Sequence, residues 1–275
     1  MAKIKILLTG GSGFIGRNIY NSLKSNYQIT RPSSKKLDLT DREQVLKFFE
    51  PRFFDVVIHC AIKGGRRNEP DSEQVLQKNL TMYFNLMNCK SSFKRFINFA
   101  SGAEYDKTYN INHSIDDLKD IYPTSPYSMS KNIISRLVNT DENSFNLRIY
   151  GAFGPDEEED RFILYNLKRY KEKKSIKMIQ NRYWDFIYID DLITVLELYI
   201  NNSTNSLIKD YDLVYEKKNT LLEIAQKINL LDSHRVKINI QKPGKGLDFL
   251  GKYNDSLSTS LKGFNKGLKD VYYSI

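Results

Sequence analysis

The chain has 275 residues, 40% of them apolar, which suffices for a substantial core in one large domain or two unequal ones. Its net charge is +9, but the lysines are spread along the chain without forming a stripe, so nucleic acid is not an expected partner and an anionic small substrate accounts for the charge equally well. The two cysteines lack metal-ligand spacing, no charged-then-apolar leader opens the chain, and no apolar stretch reaches membrane-spanning length; a reducing cytoplasm, with no metal and no membrane, is the expected setting.

The first element is the run from Ile4 to Thr9, which reads as a buried central strand of a parallel sheet. Gly10, Gly13 and Gly16 follow. Gly10 permits a tight turn, Gly13 lets the backbone approach a pyrophosphate, and Gly16 lets the next helix, Phe14 to about Lys24, pack close on the strand. Phe14 and Ile15 open that helix, whose N-terminus is an anion site. A second strand, Tyr27 to Arg31, ends in arginine where such folds usually carry the acid that holds an adenosine ribose. Arg31, with Ser33, Ser34 and Lys35 beside it, fits a 2'-phosphate, so the expected cofactor is NADP(H). Leu37-Asp-Leu39 reads as a third, very short strand that sets Asp38 and Leu39 among the cofactor contacts, ahead of a helix capped by Thr40 or Asp41.

The stretch from Phe54 to Ala61 is another buried strand, and Ile62-Lys-Gly-Gly65 is a flexible basic loop at its carboxyl end, where Ala61 and Lys63 are expected to line the cofactor. His59 and Cys60 lie inside the apolar run and read as a satisfied core histidine and a buried thiol. A helix from about Asp71 to Asn88 carries Asn79, a further expected cofactor contact. The strand Lys94 to Ala100 ends in Ser101. After a loop from Gly102 to Pro123, Ser125 and Pro126 mark a helix start. Tyr127 and Lys131, four apart, share one face of that helix, and a nearby ammonium favours a phenolate.

Taken together these features resemble the short-chain dehydrogenase/reductase superfamily, and over essentially the whole chain its extended nucleotide-sugar branch, the NAD-dependent epimerase/dehydratase family. Thr9-Gly-Gly-Ser-Gly-Phe-Ile-Gly16 matches Thr-Gly-x-x-Gly-x-x-Gly, Ser101 with Tyr105 matches Ser-x-x-x-Tyr, and Tyr127-Ser-Met-Ser-Lys131 matches Tyr-x-x-x-Lys. Arg148-Ile-Tyr-Gly-Ala-Phe-Gly-Pro155 stands where the branch has Arg-x-x-Asn-x-Tyr-Gly-Pro, and Asp185-Phe-Ile-Tyr-Ile-Asp-Asp191 matches Asp-Phe-x-x-Val-Asp-Asp. Leu37-Asp-Leu-Thr-Asp41 and Ala61-Ile-Lys-Gly-Gly65 look most like the GDP-L-fucose synthase-like 4-keto sugar reductases, which use the phosphorylated cofactor.

The resemblance implies an α/β fold: a Rossmann-type doubly wound parallel sheet over 1–150, with a returning segment near 186–202, and a smaller nucleotide-sugar-binding region over 151–275. In it Lys131 would hold the nicotinamide ribose and lower the phenol pKa, Tyr127 would protonate the carbonyl oxygen, and Ser101 would hydrogen-bond that oxygen. Lys63, Ala103, Arg161 and Arg182 are the expected contacts of a nucleotide-diphosphate sugar, with Lys177 a further phosphate candidate and Asp156 to Asp160 an acidic loop. Asp190 is expected to cap a helix returning to the first domain, and by analogy the branch's homodimers extend to this chain. The departures are Gly151 for asparagine, Phe153 for tyrosine and Trp184 for arginine.

The implied activity is NADPH-dependent reduction of a 4-keto nucleotide-sugar in surface-polysaccharide sugar biosynthesis; an epimerase or dehydratase of the same branch, or a silent NADP-binding regulator, are the competing readings. In the GDP-L-fucose synthases that the chain resembles, a cysteine two positions after the serine and a histidine beyond the Tyr-Gly-Pro segment move protons beside the ketone; here Ala103 stands at the cysteine position and no histidine lies between Phe153 and Trp184, the histidines being His59, His113 and His234, so by that resemblance the usual acid and base of epimerisation are missing. Glu104 is the nearest substitute, expected to be a solvated carboxylate and hence a weak base.

Overall fold

The computed structural model describes residues 3–66, 69–105, 118–256 and 260–275. His113 and most of the loop between Gly102 and Pro123 lie outside the described residues. In chain order come β1 (Lys5–Thr9), α1 (Phe14–Leu23), β2 (Gln28–Thr30), α2 (Arg42–Phe49), β3 (Phe54–His59), α3 (Gln74–Met87), β4 (Phe93–Ser101), α4 (Pro126–Asn139) and β5 (Ser144–Ile149). They are followed by β6 (Ala152–Phe153), α5 (Phe162–Lys171), β7 (Ile176–Met178), β8 (Ile187–Tyr188), α6 (Ile189–Asn201), β9 (Asp210–Asp212), α7 (Leu221–Ile228), β10 (Ile238–Ile240) and α8 (Phe264–Ser274). Two compact units result. The first holds the described residues up to Arg148 together with Glu197–Tyr211, and the second holds Ile149–Leu196 and Asp212–Ile275. Among the described residues no helix is long and apolar enough to cross a membrane.

The first unit is organised by a six-stranded sheet in the order β2-β1-β3-β4-β5-β9. β1 pairs in parallel with β2 on one side and with β3 on the other, and β3 pairs in parallel with β4. The chain direction across the sheet therefore reverses at β1, and the loops after β1 and β3 meet at that switch point, where ligands of such sheets bind. Strands this apolar must be covered on both faces. Leu7, Val57 and Phe96 stand side by side in register and point into one cluster with Phe49 of α2, Leu86 of α3 and Val138 of α4. Their neighbours Ile6, Leu8, Ile58 and Ile97 are buried as completely.

Leu37-Asp-Leu39 is not the expected third strand. The Asp38 carboxylate accepts the Thr40 N–H at 2.9 Å and its hydroxyl at 2.7 Å, while the Asp38 N–H goes to Gln44, so local side-chain bonds take over from a ladder. Leu37 and Leu39 are nevertheless buried in the same core as α2, which produces a strand-like alternation without a strand. Asp41 is the cap of α2, its carboxylate accepting the Gln44 N–H.

In the second unit β6 pairs with β8 and β7 with β10, both in parallel, alongside α5, α7 and α8. The two ends of the Asp185–Asp191 motif act as staples. Asp185 accepts from Gly251 N at 2.8 Å and Lys218 Nζ at 2.7 Å; Asp191 accepts from Lys262 N at 2.7 Å, Gly263 N at 2.9 Å and the Tyr215 hydroxyl. Asp190 is not the cap of α6, because the helix already begins at Ile189 directly after β8. Its carboxylate instead pairs with Lys262 at 2.8 Å.

Candidate active site

The turn after β1 is built to leave backbone exposed. Gly10 has φ +65°, a conformation that side chains resist, and a Cβ there would come within 2.4 Å of Ala61 N. At Gly16 a Cβ would come within 2.4 Å of Gly10 O, so α1 approaches the turn closely. Gly13 differs: a Cβ there would meet nothing nearer than Gly10 O at 3.6 Å, so packing within the protein does not require glycine at this place. Gly13 is also the N-cap of α1, with no side-chain cap and no acid in the first turn, where Phe14 and Ile15 are half-buried. The N–H groups there are left for an anion.

Arg31, just past β2, reaches back over this turn. Its Nη1 donates to Gly11 O at 3.1 Å, and its guanidinium lies 4.0 Å from the Tyr20 ring centre. A cation held flat by an aromatic ring beside free helix N–H groups is a phosphate-binding arrangement. The residues present therefore fit a phosphorylated dinucleotide. Asp38 is exposed and Leu39 is buried, both beyond Arg31 in the chain.

After β3, Ala61 and Lys63 begin the loop that faces the glycine turn. Asn79 of α3 is 1% exposed and spends its amide on that loop: its Oδ1 accepts Lys63 N at 2.9 Å, and its Nδ2 donates to Lys63 O at 3.1 Å and to Ser130 Oγ at 2.9 Å. Asn79 thus clamps the Lys63 backbone between α3 and α4. The Lys63 side chain is exposed. Gly65 lies against Tyr127, since a Cβ at Gly65 would come within 2.7 Å of the ring.

Ser125 caps α4 through the Ser128 N–H, with Pro126 opening the helix, and so aims Tyr127 and Lys131. Lys131 is 6% exposed and donates to Phe99 O at 2.6 Å. Burial lowers its pKa to about 8, with the charge of Glu104 opposing. Ser101, at the end of β4, accepts the Ala103 N–H at 3.2 Å, and Ala103 itself is 2% exposed. The first unit thus brings together the glycine turn, Arg31, Ala61, Lys63, Ser101, Tyr127 and Lys131.

Glu104 is not solvated. It is 0% exposed on a short 3-10 turn, Gly102–Tyr105, that continues β4. Its carboxylate pairs with Arg148 Nε and accepts the Ser135 hydroxyl at 2.7 Å. Arg148 in turn pairs with Asp210 at 2.5 Å and lies 4.8 Å from the Tyr105 ring centre. Burial raises the Glu104 pKa against the pull of Arg148, and Asp210 raises it further. The sequence does signal this cluster, in Glu104 so close to Ser101 and in the arginine that opens the Tyr-Gly-Pro segment, but it does not show that the two meet.

In the second unit Arg161 is exposed and paired with Glu158 at 3.0 Å, and Lys177 is exposed. Arg182 lies deeper. Its guanidinium is 5.3 Å from the Trp184 ring centre, while its Nε is buried without a partner. Trp184 stacks on Phe186 and Phe186 on Phe162, with ring centres 6.2 and 6.4 Å apart. The acidic loop holds one residue that composition conceals: Glu157 is 6% exposed, accepts Leu164 N at 3.2 Å, and leaves Oε2 buried without a partner. Burial pushes it up to about 8, against the Leu164 hydrogen bond and Arg161.

A parallel sheet with this strand order and a glycine turn on its first strand defines a Rossmann-type dinucleotide-binding protein. The model of the NAD dependent epimerase/dehydratase family matches residues 6–212, and the chain belongs to that family. The GDP-L-colitose synthase of Yersinia pseudotuberculosis is 27% identical over 229 residues, 73% of this chain and 73% of its own length. The GDP-mannoheptose C4 reductase from Campylobacter jejuni with NADP bound superposes with a TM-score of 0.82 at 16% identity, covering 100% of this chain and 98% of that one. The UDP-glucose 4-epimerase of Thermus thermophilus in complex with NAD gives a TM-score of 0.78 at 16% identity and covers 98% of each chain. Since a reductase and an epimerase share the fold, the choice between them falls to side chains.

His59 is the core histidine expected from the sequence: 2% exposed, Nδ1 2.9 Å from Thr9 Oγ1, its ring tilted against Phe96. Burial, with the Lys131 charge adding to it, lowers its pKa to about 3 from 6.5. Below pH 6.5 the unfolded chain takes up a proton that folded His59 refuses, so acid erodes stability through this side chain as the pH falls towards 3. In urea titrations across this window, the wild-type unfolding free energy should fall faster with acid than that of His59→Asn, the difference approaching about 1.4 kcal/mol per pH unit. Parallel curves for the two proteins would contradict a buried neutral histidine.

Proposed function

We propose that this protein is an NADPH-dependent reductase of a 4-keto nucleotide-sugar, the first unit holding the cofactor and the second the nucleotide-sugar. The observation that carries the reductase reading is the commitment of Glu104 to Arg148 and Ser135, which among the described residues leaves no free carboxylate on the serine turn, Ala103 standing where a proton-moving side chain would be needed. The Yersinia relative named as a GDP-L-colitose synthase and the Campylobacter C4 reductase support the substrate class, and Arg31 supports the phosphorylated cofactor.

A bound nicotinamide would supply the hydride. The chain's own residues do the rest. The α1 N-terminus and Arg31 bind phosphates, Arg31 selecting the 2'-phosphate. Lys131, charged at neutral pH, orients the cofactor ribose and stabilises negative charge on the Tyr127 oxygen. Tyr127 delivers its proton to the substrate carbonyl oxygen. Ser101 already accepts the Ala103 N–H, so its own hydroxyl proton is available to that same oxygen.

One observation favours an epimerase as the second reading. Glu157, with a buried oxygen that has no partner among the described residues and a carboxyl pushed up by burial to about 8, is a second carboxyl not committed to an arginine as Glu104 is. A silent NADP-binding regulator is disfavoured by the presence of Ser101, Tyr127 and Lys131 together.

Two substitutions test the assignment. Arg31→Ala should weaken NADPH binding tenfold to a hundredfold, about 1.5 to 3 kcal/mol, and leave NADH nearly unaffected; equal affinity of the wild type for both cofactors by fluorescence titration would refute the phosphate role. Tyr127→Phe should lower turnover of a 4-keto nucleotide-sugar by about a hundred- to ten-thousandfold with cofactor affinity close to normal. A variant keeping most of its activity would remove Tyr127 from the proton transfer.

A further inference from the structure

The carboxylate of Glu104 touches more of the site's supporting structure than pairing alone with Arg148 would require. One oxygen takes Arg148 Nε from β5. The other takes the Ser135 hydroxyl from α4 at 2.7 Å and faces the Ser101 N–H at 3.5 Å, the outer limit of a hydrogen bond. Its backbone carbonyl accepts Asn132 Nδ2, again from α4, at 3.1 Å. Asn132 and Ser135 follow Lys131 on the same helix. The turn that carries Ser101 is therefore fastened to α4 by both the side chain and the main chain of one residue.

We propose that Glu104 is a positioning residue: its carboxylate clasps the Ser101 turn to the helix bearing Tyr127 and Lys131, and sets a buried negative charge within electrostatic reach of the Lys131 ammonium. This rests on the reading of Ser101, Tyr127 and Lys131 as the reacting site. Charge and solvation make both halves consequential. A buried ammonium loses water and holds its proton less firmly, and among the described residues Lys131 donates to an uncharged carbonyl, Phe99 O. Among the described residues the titratable groups facing it are Tyr127 one turn earlier on α4, Glu104 on the serine turn, and His59 and Cys60 at the end of β3. His59 is held neutral and the Cys60 thiol is raised far by burial, which leaves Glu104 to supply the negative charge. Glu104 itself faces Arg148 of β5 and, through it, Asp210 of β9.

The test is carried out on the full chain without cofactor, labelled with lysine carrying carbon-13 at Cε, the Lys131 signal being assigned with Lys131→Arg. Lys131 should titrate near pH 8 in the wild type. In Glu104→Gln its midpoint should fall by about one unit or more. An unchanged midpoint, even with a lowered Tm, would make Glu104 a purely structural residue and overturn the proposal. Glu104→Asp keeps the charge but draws the carboxylate back by one methylene: the Lys131 midpoint should hold within a few tenths, while amide exchange at Ser101–Tyr105 quickens about tenfold. Undiminished protection there would overturn the clasp, and this variant serves even if Glu104→Gln does not fold. The alkaline limb of kcat should then move with the Lys131 midpoint. A protein in which Lys131 shifts as stated but no 4-keto nucleotide-sugar is turned over would refute the proposed function and leave the placement of Glu104 standing.

Discussion

The first unit is arranged around an ammonium group that has almost no water. Lys131 is 6% exposed, and stripping an ammonium of solvent costs several kcal/mol unless the surroundings replace what water supplied. The replacement comes from separate places in the chain. The end of β4 offers the Phe99 carbonyl, the serine turn offers the Glu104 charge, and β3 offers a histidine kept neutral so that it does not repel. Each of these requires its own support. Glu104 needs Arg148, Arg148 needs Asp210 on the far strand, and His59 needs the Thr9 hydroxyl from β1. Much of the polar interior of the sheet can be read as a consequence of one buried cation.

The glycine turn presents the complementary arrangement, polar groups left exposed where a ligand replaces solvent. Gly10 and Gly16 are dictated by contacts within the protein, because any side chain would strike backbone. Gly13 and the uncapped start of α1 are not, and that difference separates a binding turn from an ordinary tight turn. Arg31 reaches the turn from just past β2, its guanidinium over the Tyr20 ring and donating to Gly11 O.

Much of this was legible in the sequence because it is local. The strand followed by three glycines, the Ser125-Pro126 helix start and the i, i+4 spacing of Tyr127 and Lys131 are each set within a few residues, and they led to the Rossmann-type sheet and to the family. Where local chemistry imitated another pattern, the reading failed: Leu37 and Leu39 alternate like a strand, but Asp38 turns the backbone onto Thr40 and Gln44. Glu104 was misread for the opposite reason. Nothing near it in sequence reveals Arg148 or Asp210, which are 44 and, through Arg148, 62 further residues away. Asn79 was expected among the cofactor contacts, and its amide is spent on the Lys63 backbone and Ser130. Glu157 lay hidden in a run of acids whose composition says surface, and Arg182 is distinguished from Arg161 by an unpartnered buried Nε that no sequence pattern records.

The central chemical choice falls to two carboxylates, one in each unit. Burial raises the pKa of both; Glu104 stands beside the serine turn but is bound to Arg148, and Glu157 lies on the acidic loop of the second unit. If Glu104 is committed and Glu157 serves the α5 N-terminus through Leu164, the protein delivers hydride and one proton and leaves the neighbouring carbons untouched. The most direct measurement is therefore the reaction of the protein with NADPH and a 4-keto nucleotide-sugar in heavy water, with the product read by NMR. The account predicts NADPH oxidation with no solvent deuterium at the carbons flanking the reduced one beyond the enzyme-free rate. Deuterium entering those carbons faster with the protein than without it would contradict a simple reductase and identify an epimerase.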